Sequence, residues 1–321
     1  MKRETLFYIV KRIILFPIIL LIVVSINFFL IHLAPGGPFA ILLSNPAFTP
    51  QEVANLEAEY GLNKPISEQY FVYIYQVMTG HLGISYFYGI PVTQVFFQSL
   101  PNTLVLAGFS LVLASTVGIL LGIVAAMHKG ITDKALNVAS ITSYTTPVFW
   151  QGIMMILIFS VYLKLFPSTG IYFSFNGFNI LKYLWHIVLP VISLSLLLFP
   201  PIFFFTRSNL LAIMQKDFIK ALYAKGLKSR LIFMKHALKN SLLPVITLIG
   251  LQSTILFGGA TVVEIVFTWP GIGLLTYTAI LNKDYPLMLG SIFFFGLLVS
   301  AANLVVDLLY LAIDPRINIS R

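Results

Sequence analysis

Six runs of this chain are long and apolar enough to cross a lipid bilayer, and a chain with six such runs has few ways to fold. They cover residues 10–33, 101–127, 136–162, 183–206, 244–267 and 286–312. A helix needs about 20 mostly apolar residues to cross the hydrocarbon core. Backbone in lipid must satisfy its own hydrogen bonds, which selects helices over isolated strands. The alternation that marks a transmembrane β-barrel is absent. Composition agrees, since 58% of the 321 residues are hydrophobic and only 10% are charged, against roughly 25% charged in soluble domains. The apolar part of the first run, Ile13 to Leu33, is longer than a signal-peptide core and lacks small residues in a cleavage pattern, so it is expected to stay as a helix. The fold class is all-α, integral to a membrane.

The net charge of +9 would raise nucleic acid as a partner for a soluble chain. Here the cations are too clustered for that, and their clustering gives topology instead. With the N-terminus inside, the internal segments carry sixteen of the 20 basic residues, and the external ones carry Lys64, Lys164, Lys182 and Lys283. Basic residues collect on the cytoplasmic side, so both termini are expected there, in the cell's inner membrane. The chain divides at residue 100, with a first helix and external segment over 1–100 and a five-helix core over 101–321. In the external segment, Gln51–Tyr60 is expected as a surface helix, with Thr49 as its cap and Pro50 at its first position. Ser67–Met78 is expected as a second, amphipathic helix at the interface.

The internal stretch 207–243 is far longer than a connection between two spans requires. It holds Arg207, Lys216, Lys220, Lys225, Lys228, Arg230, Lys235 and Lys239 against one acid, Asp217. Residues Asp217–Lys225 read as a short helix capped by Asp217, with Phe218 and Leu222 on one face and Gly226 as the terminator. A second helical pattern follows at Leu231, Met234, Leu238 and Leu242. Apolar anchors inside a basic rim suit a protein-docking element. They suit equally a loop lying on anionic lipid, and the composition leaves both open.

No catalytic constellation is legible. GxxxxGK[ST], HExxH and GxSxG are missing and there is no cysteine. His32, His81, His128, His186 and His236 are scattered and read as local hydrogen-bond formers. Within the spans, Asn27 is expected to hydrogen-bond between helices. Asp307 shares a face with Asn303, in a packing or capping role. Glu264, at the outer end of the fifth span, is either a gate or a structural hydrogen-bonding group. Gly118, Gly122 and Ala126 recur every four residues and permit close helix approach. Gly258 and Gly259 are candidates for a bend or constriction in the fifth span. Pro190, Pro200 and Pro201 predict a kinked or partly broken fourth span.

The segment Asp217-Phe218-Ile219-Lys220-Ala221-Leu222-Tyr223-Ala224-Lys225-Gly226-Leu227 resembles the cytoplasmic coupling loop of permeases in binding-protein-dependent ABC importers. Lys220-Ala221-Leu222 stands at the Glu-Ala-Ala place of the general signature and Gly226 at its Gly. More narrowly, the chain resembles the first of the two paired permeases of the dipeptide, oligopeptide and nickel family. Leu33-Ala34-Pro35-Gly36-Gly37-Pro38, Tyr60-Gly61-Leu62-Asn63-Lys64-Pro65, Gly80-His81-Leu82-Gly83, Pro101-Asn102-Thr103-Leu104, Glu264-Ile265-Val266-Phe267 with Pro270-Gly271-Ile272-Gly273, Lys283-Asp284-Tyr285-Pro286 and Asp314-Pro315-Arg316 follow its landmarks in order. Gly37, Asn63 and His81 depart from it where Asp is usual.

The resemblance implies a type I ABC importer permease fold with a cytoplasmic coupling helix, forming half of a pathway for peptides or similar solutes. Coupling falls to Asp217, Phe218, Ala221, Leu222, Ala224, Lys225 and Gly226, with Glu264, Gly258 and Gly259 as pathway or gate residues. It implies no cofactor in this chain, with ATP and Mg on two partner ATPase subunits. The other partners are a sister permease, an extracytoplasmic solute-binding protein and the bilayer, not nucleic acid. The alternatives are a proton- or ion-coupled secondary transporter, or an oligosaccharide or nickel permease of the same family.

Overall fold

Apolar sequence becomes helix almost throughout. The computed structural model describes residues 3–33, 49, 51, 63–128, 130–170 and 179–313. Its helices are α1 (Arg3–Leu33), α2 (Ile66–Thr79), α3 (Val92–Met127), α4 (Ile131–Thr145), α5 (Val148–Met155, continued by a π-helical stretch Ile156–Tyr162), α6 (Ile180–Met214), α7 (Asp217–Ala224), α8 (Lys239–Phe267, preceded by a π-helical stretch Ile232–Leu238), α9 (Ile272–Leu281) and α10 (Tyr285–Ile313). Each of the six expected runs lies within these helices, with shifted ends. The second begins at Val92 rather than 101, and the fourth covers Ile180–Met214 rather than 183–206. Among the described residues, four helices are long and apolar enough to span a membrane alone, or six if each broken pair counts as one span. Residues 52–60 of the expected helix Gln51–Tyr60, the Asp307 side chain and the landmarks at 34–38 and 314–316 lie outside the described residues.

The chain forms two units, residues 1–102 with 270–321, and residues 103–269. In the first, Val24 and Phe28 of α1 pack with Tyr73 of α2 and with Tyr285 and Leu289 of α10. Phe96 and Phe294 stack at 4.1 Å in a neighbouring cluster. Asn27 is buried in this unit, and its Nδ2 meets no hydrogen-bond partner among the described residues, so the bond expected between helices is not seen at that atom. Asp284 is buried and ties down the loop after α2, accepting from Ser85 Oγ, from the Phe87 amide at 3.0 Å and from the Leu287 amide at 3.2 Å.

In the second unit α6 is the central helix. Gly118 and Gly122 let α3 lie directly on it. A Cβ at Gly118 would stand 2.9 Å from the Phe199 carbonyl oxygen, and one at Gly122 would stand 2.9 Å from that of Phe203. Of the two expectations for the fourth span, a kink or a partial break, the break does not occur, and helix continues through Pro190, Pro200 and Pro201. Proline removes an amide and orphans the carbonyl four residues earlier. For Pro200 that carbonyl is Leu196 O, and the Ser143 hydroxyl donates to it at 2.7 Å. The break falls in the third span instead. Helices α4 and α5 meet at Pro147 with a turn of 103°. The Gln151 amide spans the break, donating to Ser143 O at 2.7 Å and to Thr146 O at 2.9 Å.

Candidate functional site

The basic stretch between α6 and α8 folds into a short helix pinned to the ends of longer ones. Helix α7 has eight residues, Asp217–Ala224. Its anchor is Ile219, 1% exposed, which clusters with Leu210, Ile232 and Ala237. Leu222 and Leu227 pack against the same cluster. Burying an Ile side chain contributes about 1.5–3 kcal/mol, enough to hold so short a helix against solvent.

Two local expectations need correction. The cap is Lys216, in extended backbone, and Asp217 is the first helical residue. There its carboxylate favours the positive helix end and accepts from Lys220 Nζ at 2.8 Å, both groups exposed. Phe218 and Leu222 share a face of α7 but not its burial. Leu222 packs inward, whereas Phe218 is 40% exposed and Ala221, Ala224 and Lys225 lie open. The sequence pattern missed Ile219, which pairs with Leu222 at a three-residue spacing as legitimately as Phe218 does at four.

The terminator is where it was expected. Gly226 has φ +76°. Its amide donates to Tyr223 O at 2.9 Å, and the Leu227 amide donates to Leu222 O at 3.3 Å. This is the paired-bond helix stop that favours glycine. The second apolar line is corrected as well. The buried positions are Ile232, Ala237, Ser241 and Val245, while Leu231 and Met234 are exposed. The π-helical stretch bonds i to i+5, so it inserts an interval of five between Ile232 and Ala237 and rotates the stripe away from the α-helical prediction.

Arg207 does not stand free at the membrane interface. Its Nε and Nη2 each donate to a different oxygen of Asp133 at 2.6 Å, and Asn137 Nδ2 donates to Asp133 Oδ1 at 2.7 Å. This two-pronged pair ties α6 to the start of α4. Nothing in the sequence joins two residues so far apart along the chain.

Of the remaining candidates, Glu264 is fully buried and accepts from Thr103 Oγ1 at 2.7 Å, joining α8 to α3. Gly259 packs on Leu194 and Leu197, while the space over Gly258 is open. Of the histidines, His128 bonds locally with Val124 O, His186 reaches Gly170 O, and His32 bonds Phe28 O on its own helix and also Gln69 and Tyr285 on others. Among the described residues no group of three or more His, Asp or Glu side chains is placed to hold a metal ion.

An apolar cavity of about 540 Å³ opens beside α7. Its walls include Met127 and Met214, the last residues of α3 and α6, together with Leu211, Phe233 and Met234, and Tyr223 and Arg230 stand at it.

Comparison with known proteins covers nearly the whole chain. Residues 118–319 match the profile of the binding-protein-dependent transport system inner membrane component, and residues 5–107 match its N-terminal companion. The dipeptide transport system permease protein DppB of Escherichia coli (strain K12) is 35% identical over 315 residues, covering 91% of this chain and 93% of the relative. The oligopeptide transport system permease protein AppB of Bacillus subtilis (strain 168) is 34% identical over 313 residues, covering 97% and 99%. Among solved structures, a chain of the inward-facing MetNI methionine ABC transporter aligns with a TM-score of 0.53 at 16% identity, over 69% of this chain and 97% of that one. That likeness speaks to fold alone.

Proposed function

This chain belongs to the binding-protein-dependent transport system inner membrane components, and from that premise we propose that α7 is the element through which partner ATPases drive it. The chain is a permease subunit of an ATP-driven importer that handles peptides, the cargo in the names of its relatives. It sits in the inner membrane, its charge distribution placing both termini and the basic stretch on the cytoplasmic side. Residues 101–321 form the permease core. Hydrolysis of ATP with Mg takes place on two partner subunits, a sister permease completes the pathway, and an extracytoplasmic binding protein delivers solute.

One observation carries the assignment of α7. An eight-residue helix is anchored inward by Ile219 and Leu222 while Phe218, Lys220, Ala221, Ala224 and Lys225 face outward. A helix held at its root with an apolar ring and cations at its tip suits a groove on a partner. Coupling needs only that this contact differ between the partner's two states. Among the pathway candidates, Gly258 has the open surface a solute-facing position requires.

The chain contains no cysteine, so Ala221→Cys gives a unique thiol. In the assembled importer, a short bifunctional maleimide is expected to join it to a single engineered cysteine on an ATPase subunit, with a yield that changes on adding ATP. Active importer in which no position from 217 to 226 ever joins an ATPase subunit would refute the assignment.

A further inference from the structure

We propose that the cavity beside α7 is a binding site for an anionic phospholipid, with an acyl chain between the ends of α3 and α6 and the phosphate against Arg230. The cavity walls are hydrocarbon and thioether, from Met127, Leu211, Met214, Phe233 and Met234. Its volume of about 540 Å³ is within the range that holds organic ligands. Three of these five residues are methionines, whose flexible side chains adapt to an occupant of variable shape.

Position and charge select the occupant. Met127 and Met214 end two membrane-spanning helices, so the cavity opens at the cytoplasmic end of both. Arg230 lines it, and Lys216, Lys225, Lys228 and Lys235 are exposed on the same stretch. The one acid there, Asp217, is already paired with Lys220. Basic pockets between helices on the cytoplasmic side favour anionic headgroups.

The ATPase face of α7 is a different one. Phe218 carries that face, whereas Tyr223 lines the cavity. Five residues apart on an α-helix, the two side chains point about 140° away from each other. A lipid there holds α7 from behind and leaves Phe218 to the partner.

The test uses the intact importer in nanodiscs of equal phosphatidylcholine and phosphatidylglycerol, with lipids read by native mass spectrometry after transfer to detergent. No ATP or uptake is involved, so this outcome and that of the cross-linking are independent. Wild type is expected to retain phosphatidylglycerol over phosphatidylcholine. Arg230→Ala should lower that retention about fivefold, the factor one basic residue contributes near an anionic surface. Arg230→Lys should keep most of it, and Leu211→Trp, which fills the cavity, should abolish it. Equal retention of the two lipids by wild type overturns the proposal, as does undiminished phosphatidylglycerol in both Arg230→Ala and Leu211→Trp. So does a photoreactive residue at 234 that labels an ATPase subunit and never lipid.

Discussion

Gly226 permits an experiment in which backbone conformation alone is varied. Its φ of +76° lies in the left-handed region, and a Cβ built there meets nothing within 4 Å. A substitution therefore incurs no steric clash, and its whole effect comes from the backbone. A residue with a Cβ costs about 1–2 kcal/mol in this conformation. Replacing glycine by alanine returns about 0.4–1 kcal/mol by restricting the open chain. The net for Gly226→Ala is roughly 1 kcal/mol, a fivefold drop in the closed helix stop relative to its open form. Gly226→Asn should cost less, because asparagine visits the left-handed region, and Gly226→Val should cost more, because a β-branched residue is a marked outlier there. The assay is the ratio of peptide imported to ATP hydrolysed by the importer in proteoliposomes. The ratio is expected to fall in the order Gly, Asn, Ala, Val, while the amount of assembled complex stays constant. If Asn performs as badly as Val, or Ala as well as Gly, left-handed geometry at 226 does not govern coupling.

Other substitutions address the scaffold. Gly122→Ala puts a Cβ 2.8 Å from Thr206 Cβ and 2.9 Å from Phe203 O; it should destabilise the purified protein by about 1–3 kcal/mol, whereas Gly108→Ala, over open space, should be neutral or better in a thermal melt. Arg207→Lys loses the fork that engages both oxygens of Asp133, so it should lower the melting temperature. Combining Asp133→Asn with Arg207→Gln should be no worse than the worse single change. Glu264→Gln keeps an oxygen for the Thr103 hydroxyl and should leave peptide uptake near wild type, while Glu264→Ala removes this bond between α8 and α3 and should lower stability by about 1 kcal/mol in chemical denaturation.

Features written in contiguous residues were legible before the structure. Lipid demands unbroken apolar runs, so the spans stood out from composition. Spacing on a single helix exposed the approach at Gly118 and Gly122, and the glycine stop at 226 follows from local backbone rules. Features that depend on a distant residue were not legible. Three prolines argued for interruption of α6, yet the carbonyl that Pro200 orphans is satisfied by Ser143, 53 positions earlier. The Arg207–Asp133 pair joins residues 74 apart. The stripe after Gly226 was misassigned because an α-helical period was applied across the π-helical residues Ile232–Leu238, and nothing in the sequence announces that change of period.

The uninterrupted course of α6 bears on how force travels. At 35 residues it is about 52 Å long, against a hydrocarbon layer of about 30 Å. Roughly two-fifths of the rod therefore protrudes, and only Gln215 and Lys216 separate its tip from α7. If α7 receives the push proposed for it, the unbroken helix carries that displacement toward the far end of α6, and any bending falls at Pro190, Pro200 and Pro201.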